Sequence, residues 1–414
     1  MAIKRLKVSN FKSFNELDLE LGDFNVLIGA NASGKSNFVS IFEFLRDIAN
    51  DGLENAISLQ GDADYLLNFN IKSSKELSFE IDFFENLNKK EYFNFEEPKN
   101  SFYIRTTESK YNISIDLKKL NVTKDILFQN FKCFKGISKK NNEMEDYIDS
   151  GSAIIENKEK LEVKLDIPKV IDTEIIERIF SPLYKNDLPK DKHILENQNL
   201  YSTDLPTFIK NIAIYDFEPK SLKHASRLKA KAELEVNGGN LFLILKKILN
   251  DTKKKRKFLN LLEYALPFIK GIEIRTFTDE ALLLILEETY FDDIKIPPPL
   301  TSNGTIYIIA LLVAIYMEDK PLVIIEEPEK NIHPHLIFKL VEMLKDASRN
   351  KQIIISTHNP EIVKYAGIEN LFLVSRDENG FSKITKPSDR ENVKTFLSNE
   401  IGIDELYIQN LLEV

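Results

Sequence analysis

The sequence predicts an α/β fold built on a central parallel sheet, and three stretches of it carry that prediction. An apolar run, Phe24 to Ile28 (FNVLI), enters the glycine turn Gly29 to Ser36 (GANASGKS), after which Phe38, Ile41, Phe42 and Leu45 recur at helical spacing. Strand, glycine loop and helix therefore follow one another. Leu322 to Ile325 (LVII) and Gln352 to Ser356 (QIIIS) are short, β-branched and apolar, as strands buried on both faces of a parallel sheet are. The first ends in Glu326 and Glu327, the second in Thr357 and His358.

The remaining elements fall around these. IKRLKVSNF and the strictly alternating NELDLEL open the chain as strands. Between about residues 77 and 119, LSFEIDFF, EYFNF, SFYIRTT and YNISIDL alternate and are rich in aromatics, which predicts an antiparallel sheet added to the lobe that holds the glycine turn. Residues 120–235 are strongly charged and are expected to form a mostly helical insertion. Core character returns with GGNLFLILKKILN, and Pro297 to Pro299 end the segment after it. Ser302 to Thr305 (SNGT) then open an apolar helix, Ile306 to Met317, hydrophobic round most of its circumference and so expected to be buried. The expected division has 1–119 and 236–390 as two parts of one core, 120–235 as the insertion and 391–414 as a tail.

Composition narrows the function classes. With 414 residues, 43% of them hydrophobic and 29% charged, the chain can bury substantial cores. No run approaches about 18 to 20 uninterrupted apolar residues, so no membrane span is predicted, and the charged N-terminus lacks a secretory pattern. Cys133 is the only cysteine, which excludes a disulfide framework and a cysteine-rich zinc site and fits a cytoplasmic location. A net charge of −9 argues against a surface built wholly for nucleic acid. A local basic patch stays open: Lys253 to Lys257 (KKKRK), with Lys223, Arg227, Lys229 and Lys231. Its plainer reading is a solvated helix face.

Gly29, Gly34, Lys35 and Ser36 satisfy the GxxxxGKS pattern, in the strand-to-helix context that a phosphate-binding loop requires. Glycines let the backbone approach phosphates, successive N–H groups and the helix N-terminus supply positive potential, and Lys35 meets the β and γ phosphates. Ser36 would ligate Mg²⁺, and Asn31, Ser33 and Asn37 complete the expected contacts to ATP. Paired acids at the carboxyl end of a buried strand are costly unless a cation sits there. Glu326 is therefore expected to hold Mg²⁺ and Glu327 to polarise the attacking water. His333 and His335 are two apart in a stretch that reads as a turn entering a helix, so a metal there is not expected.

In order, GANASGKSN, TSNGT before a long apolar helix, VIIEEPEKNIHP and IISTHNP resemble the ABC-type ATPases of the group containing SMC, RecF and OLD-family proteins. The resemblance covers about residues 1–120 and 236–414 and implies a P-loop fold with an SMC-head-like core. It further implies that Ser302 and Gly304 are the signature contacting the γ-phosphate held by another protomer, that Glu327 and Lys35 are catalytic, and that His358 is the switch histidine. Asn331 to Pro334 lie where the family has its D-loop, and Gln60 stands at a plausible distance for the Q-loop glutamine. Glu326 replaces the family's usual Asp, and TSNGT keeps only the serine and second glycine of the signature. The OLD nucleases carry a TOPRIM domain after the ATPase, whereas only about 55 residues follow His358, too few for one.

A shared site implies a homodimer or higher homo-oligomer closed by ATP. The expected function is a Mg²⁺-dependent ATPase that regulates or scaffolds a separately encoded effector, a nuclease or toxin, in bacterial antiphage defence. A DNA-binding repair or recombination ATPase of the RecF or SMC kind is the alternative, so a nucleic-acid partner stays open. An ATPase subunit of a transporter fits poorly with the degenerate signature.

Overall fold

The computed structural model describes residues 1–68, 76–84, 91–93, 101–136, 145–158, 160–166, 192–196, 204–227, 230–278, 281–291, 294–399 and 401–412. The chain divides into two compact units, one of residues 1–22, 37–212 and 376–384, the other of 23–36, 213–375 and 385–414.

The first unit is organised on an antiparallel sheet. Strands β1 (Ala2–Phe11), β2 (Phe14–Glu20), β4 (Glu76–Phe84), β6 (Ser101–Asp116), β7 (Asn121–Gly136), β8 (Glu145–Asn157) and β9 (Leu161–Asp166) run in the order β2-β1-β4-β6-β7-β8-β9, with β5 (Glu91–Phe93) pairing β6. Alternation sets its buried face: in β4, Leu77, Phe79, Ile81 and Phe83 point inward while their neighbours do not. In β1 the inward set changes phase between Ile3 and Leu6, where the register against β4 slips by one residue. The helix Lys35–Asp51 supplies Phe44, whose ring lies 6.0 Å from Phe11 and 5.9 Å from Phe79, forming an aromatic knot on that face.

Residues 121–136, 145–157 and 161–166, expected to be helical, are strands. In β9 the charges sit on alternate positions: Leu161, Val163 and Leu165 are half-buried and Glu162, Lys164 and Asp166 are exposed. β6 and β7 form one hairpin, so no boundary falls at 119. Short helices follow at Leu205–Lys210 and Pro219–Lys223; the parts of the helical expectation at 167–191 and 197–203 lie outside the described residues.

One buried carboxylate fastens the turn at Ile194–Glu196 to this sheet. Asp125 Oδ1 accepts from the Tyr111 hydroxyl at 2.8 Å, and its Oδ2 accepts from Asn157 Nδ2 at 2.9 Å and from the Ile194 amide at 3.0 Å. Burial pushes this carboxyl above the usual range, while the three donors pull the other way.

The second unit holds a parallel sheet. β3 (Phe24–Ile28), β10 (Ala213–Tyr215), β15 (Leu322–Glu326), β16 (Gln352–Thr357) and β17 (Leu371–Arg376) are ordered β10-β15-β16-β3-β17, each neighbour parallel. Because β10 pairs with β15, this part of the core begins at 213 and not at the expected 236. The apolar helix starts at Asn303, runs to Leu312 and continues to Met317 with a wider turn in which the Glu318 amide bonds the Val313 carbonyl at 3.1 Å. It is buried as expected: Ile306, Ile309, Leu312 and Val313 are fully enclosed. A smaller antiparallel sheet, β11 (Ser226–Arg227), β13 (Ala281–Glu288), β12 (Ile269–Thr278) and β14 (Lys295–Ile296), packs Leu282, Leu284 and Leu286 into the same core. The segment expected as a tail joins it too, through Val393, Leu406 and Leu412. Among the described residues no helix is long and apolar enough to cross a membrane.

Replacing Asp125 with alanine strands two buried donors, the Tyr111 hydroxyl and the Ile194 amide, so the urea midpoint of the variant is expected to fall by the equivalent of about 2 to 4 kcal/mol. An unchanged midpoint would show that the network contributes nothing.

Candidate functional site

Register brings the expected residues together. In the second unit β15 lies beside β16 with Glu326 opposite Ser356, and β16 lies beside β3 with Thr357 opposite Ile28. The acidic pair, the histidine and the glycine loop therefore emerge at the same carboxyl edge, where open α/β sheets bind ligands.

The loop itself needs its glycines. Gly34 has φ +119°, a conformation side chains rarely adopt, and a Cβ on Gly29 would collide with the Val374 carbonyl. Asn31 is exposed at the tip and Ser33 is buried under it. Lys35 folds back so that its Nζ donates to the carbonyls of Gly29 (2.7 Å) and Ala30 (2.9 Å). Burial lowers the Lys35 ammonium from the usual lysine value, with Glu327, Glu326 and Glu329 opposing. Ser36 Oγ donates to Glu326 Oε2 at 3.0 Å. The extra methylene of Glu326 thus does not prevent its carboxylate from reaching the serine. Two hard oxygens this close suit Mg²⁺, which takes few protein ligands and completes its shell with phosphates and water.

Glu327 occupies a left-handed backbone conformation, φ +46°. Its amide donates to the Ser356 carbonyl at 2.8 Å. Glu327 Oε1 lies 2.9 Å from His358 Nδ1 and Oε2 lies 3.4 Å from Lys330 Nζ. Lys330 also donates to Asp216 Oδ1 at 2.8 Å. Burial works against the Lys330 ammonium, but Asp216 and Glu327 raise it above the usual value, so this cation stays charged. A third acid, Glu329, is 8% exposed. Burial pushes its carboxyl up, while the Thr357 hydroxyl donates to Oε1 at 2.5 Å.

Ser302 caps its helix: its Oγ accepts from the Thr305 amide at 3.0 Å. Gly304 is needed within its own chain, because a Cβ there would stand 2.6 Å from the Asn331 carbonyl. His333 and His335 face each other, Nδ1 to Nδ1 at 2.6 Å, and no group of three or more metal-ligating side chains forms among the described residues.

Two expected residues belong to the first unit. Asn37 donates to Ser13 Oγ at 2.8 Å, and Gln60 accepts from Lys12 Nζ at 2.7 Å. Both line an open cavity of about 480 Å³ with Lys12, Tyr65, Asn68 and Arg376. Lys12, Lys330, Glu329 and Tyr307, whose hydroxyl donates to the Glu327 carbonyl at 3.1 Å, were not anticipated. A tyrosine in a mostly aliphatic helix was the one available signal for the last of these.

Known proteins bear on this geometry. Residues 24–364 match the family described as AAA domain, putative AbiEii toxin, Type IV TA system. Endonuclease GajA of Bacillus cereus (strain VD045) is 21% identical over 376 residues, which make up 88% of this chain and 56% of GajA. The chain therefore spans little more than half of that relative. The solved SMC head bound to the C-winged helix domain of ScpA aligns at TM-score 0.50 and 14% identity, covering 93% of this chain and 98% of that one. The SMC head domain from Thermotoga maritima aligns at TM-score 0.46 and 13% identity, covering 93% and 99%. At the first of these identities the likeness speaks to fold alone, and the fold is that of an ABC-type ATPase head. With more than three quarters of its length matched, the chain belongs to the AAA-domain family so described.

Proposed function

We propose that the protein hydrolyses ATP with Mg²⁺ at a site shared by two copies, and that the closed and open dimers regulate a separate effector, a nuclease or toxin, in antiphage defence. The Glu327–His358 pair at 2.9 Å, beside the Ser36–Glu326 pair at 3.0 Å, is the observation that supports it. Lys35 exchanges its carbonyl partners for the β and γ phosphates. Ser36 and Glu326 would hold Mg²⁺, which would supply positive charge beside the phosphates. Glu327 accepts the proton of the attacking water, and His358 fixes the orientation of that carboxylate. Ser302 and Gly304 begin the helix whose N-terminus meets the γ-phosphate bound by the other copy. The match to an endonuclease and to a family described by a toxin supports an output of that class.

A second reading, an ATPase acting on DNA directly, rests on the helix Thr252–Ala265. Lys253, Lys254, Lys255 and Arg256 are exposed on its first turns, and among the described residues none makes an ion pair. Charges of this sign oppose the helix dipole. Lys229, expected beside them, lies outside the described residues.

Lys35→Ala is expected to abolish nucleotide binding in a fluorescent-ATP titration. Glu327→Gln is expected to keep binding while hydrolysis falls at least ~10²-fold, and to trap a dimer with ATP on size exclusion with light scattering. A monomer under those conditions sinks the shared site. Chelation by EDTA is expected to stop phosphate release, with recovery on adding Mg²⁺; turnover that survives EDTA rejects the metal. Stimulation by DNA that disappears when Lys253 to Lys257 are made acidic would select the second reading.

A further inference from the structure

Glu327 is held in a conformation that its own sequence does not favour. A glutamate at φ +46° persists only when its surroundings fix it, and three backbone contacts do so. Its amide is bound by the Ser356 carbonyl, and its carbonyl accepts from the Lys330 amide at 3.0 Å and from the Tyr307 hydroxyl at 3.1 Å. The last of these is the only side-chain contact among them and reaches the turn from another element. Tyr307 is fully buried, and its ring packs edge-on against Phe217 with centroids 5.8 Å apart. Burial raises its phenol well above the usual tyrosine value, so the hydroxyl stays a donor at any working pH. Three residues before it on the same helix, Gly304 fits under the Asn331 carbonyl, and Asn331 is itself left-handed at φ +61°. The helix Asn303–Leu312 thus grips both ends of the turn from Glu327 to Asn331.

We propose that Tyr307 is a positioning residue for hydrolysis: through the Glu327 carbonyl it holds that side chain in line with the attacking water, and it joins the helix capped by Ser302 to the base of the same chain. This rests on the reading of Glu327 as the base. Movement at the Ser302 end then reaches Glu327 without passing through bound nucleotide.

The test compares Tyr307→Phe, Gly304→Ala and Glu327→Gln in the full chain. Phenylalanine keeps the packing on Phe217 and removes only the hydroxyl. Tyr307→Phe is expected to lower kcat roughly ten- to a hundredfold, the scale of a small misplacement, with KM, ATP affinity and melting temperature close to parental. Gly304→Ala is expected to show the same split between kcat and KM, and the double variant to lose less than the product of the two single losses. A parental kcat for Tyr307→Phe while Glu327→Gln is inactive overturns this inference alone. Equal losses in kcat and ATP affinity overturn it as well, since they mark a general structural role. A parental rate for Glu327→Gln overturns the base assignment, and this inference with it.

Discussion

Everything at the site depends on the pairing of three strands buried on both faces. β15, β16 and β3 are entirely or almost entirely enclosed, and none of their side chains needs to face water before the last residue. With no polar face to satisfy, their relative register is set by hydrogen bonding and packing alone. That register places Glu326 opposite Ser356 and Thr357 opposite Ile28. A slip of one residue would exchange which side chains point to which face, and the acids would leave the glycine loop. The geometry of the site is in this sense a by-product of how aliphatic strands settle against one another.

The acids gathered there would repel without countercharge. Glu326, Glu327 and Glu329 fall within four residues of one another, and each has a different answer. Glu326 takes the Ser36 hydroxyl, Glu327 takes His358 and Lys330, and Glu329 takes the Thr357 hydroxyl. Only the last is deeply buried, and it is the one whose carboxyl burial pushes upward. Burial thus sets Glu329 apart from Glu326 and Glu327, which are both half-buried. Lys330 adds a constraint, since the cation beside Glu327 is also bound to Asp216 on a different strand connection.

The glycine loop, the two aliphatic strands and their terminal residues were legible because local pattern and chemistry agree there. The strands at 121–136, 145–157 and 161–166 were not: in β9, for example, the exposed face is charged, and charge density alone resembles a solvated helix. β10 has three residues, too few for any periodicity to register. Lys330 and Asp216 are 114 residues apart, and nothing in either neighbourhood announces the other. The Tyr307 contact was hidden differently: its helix was read correctly as buried, but burial does not say which carbonyl a buried hydroxyl will find.

Gly304 carries one more consequence. The sequence offered it as half of a motif aimed at a neighbouring molecule, yet the missing side chain already makes room for a carbonyl of its own chain. In an isolated copy any other residue there would force that carbonyl to shift. A library of substitutions at 304 would therefore read out the shape of the acidic turn first, and the fitness cost it records would be charged to folding geometry before assembly enters.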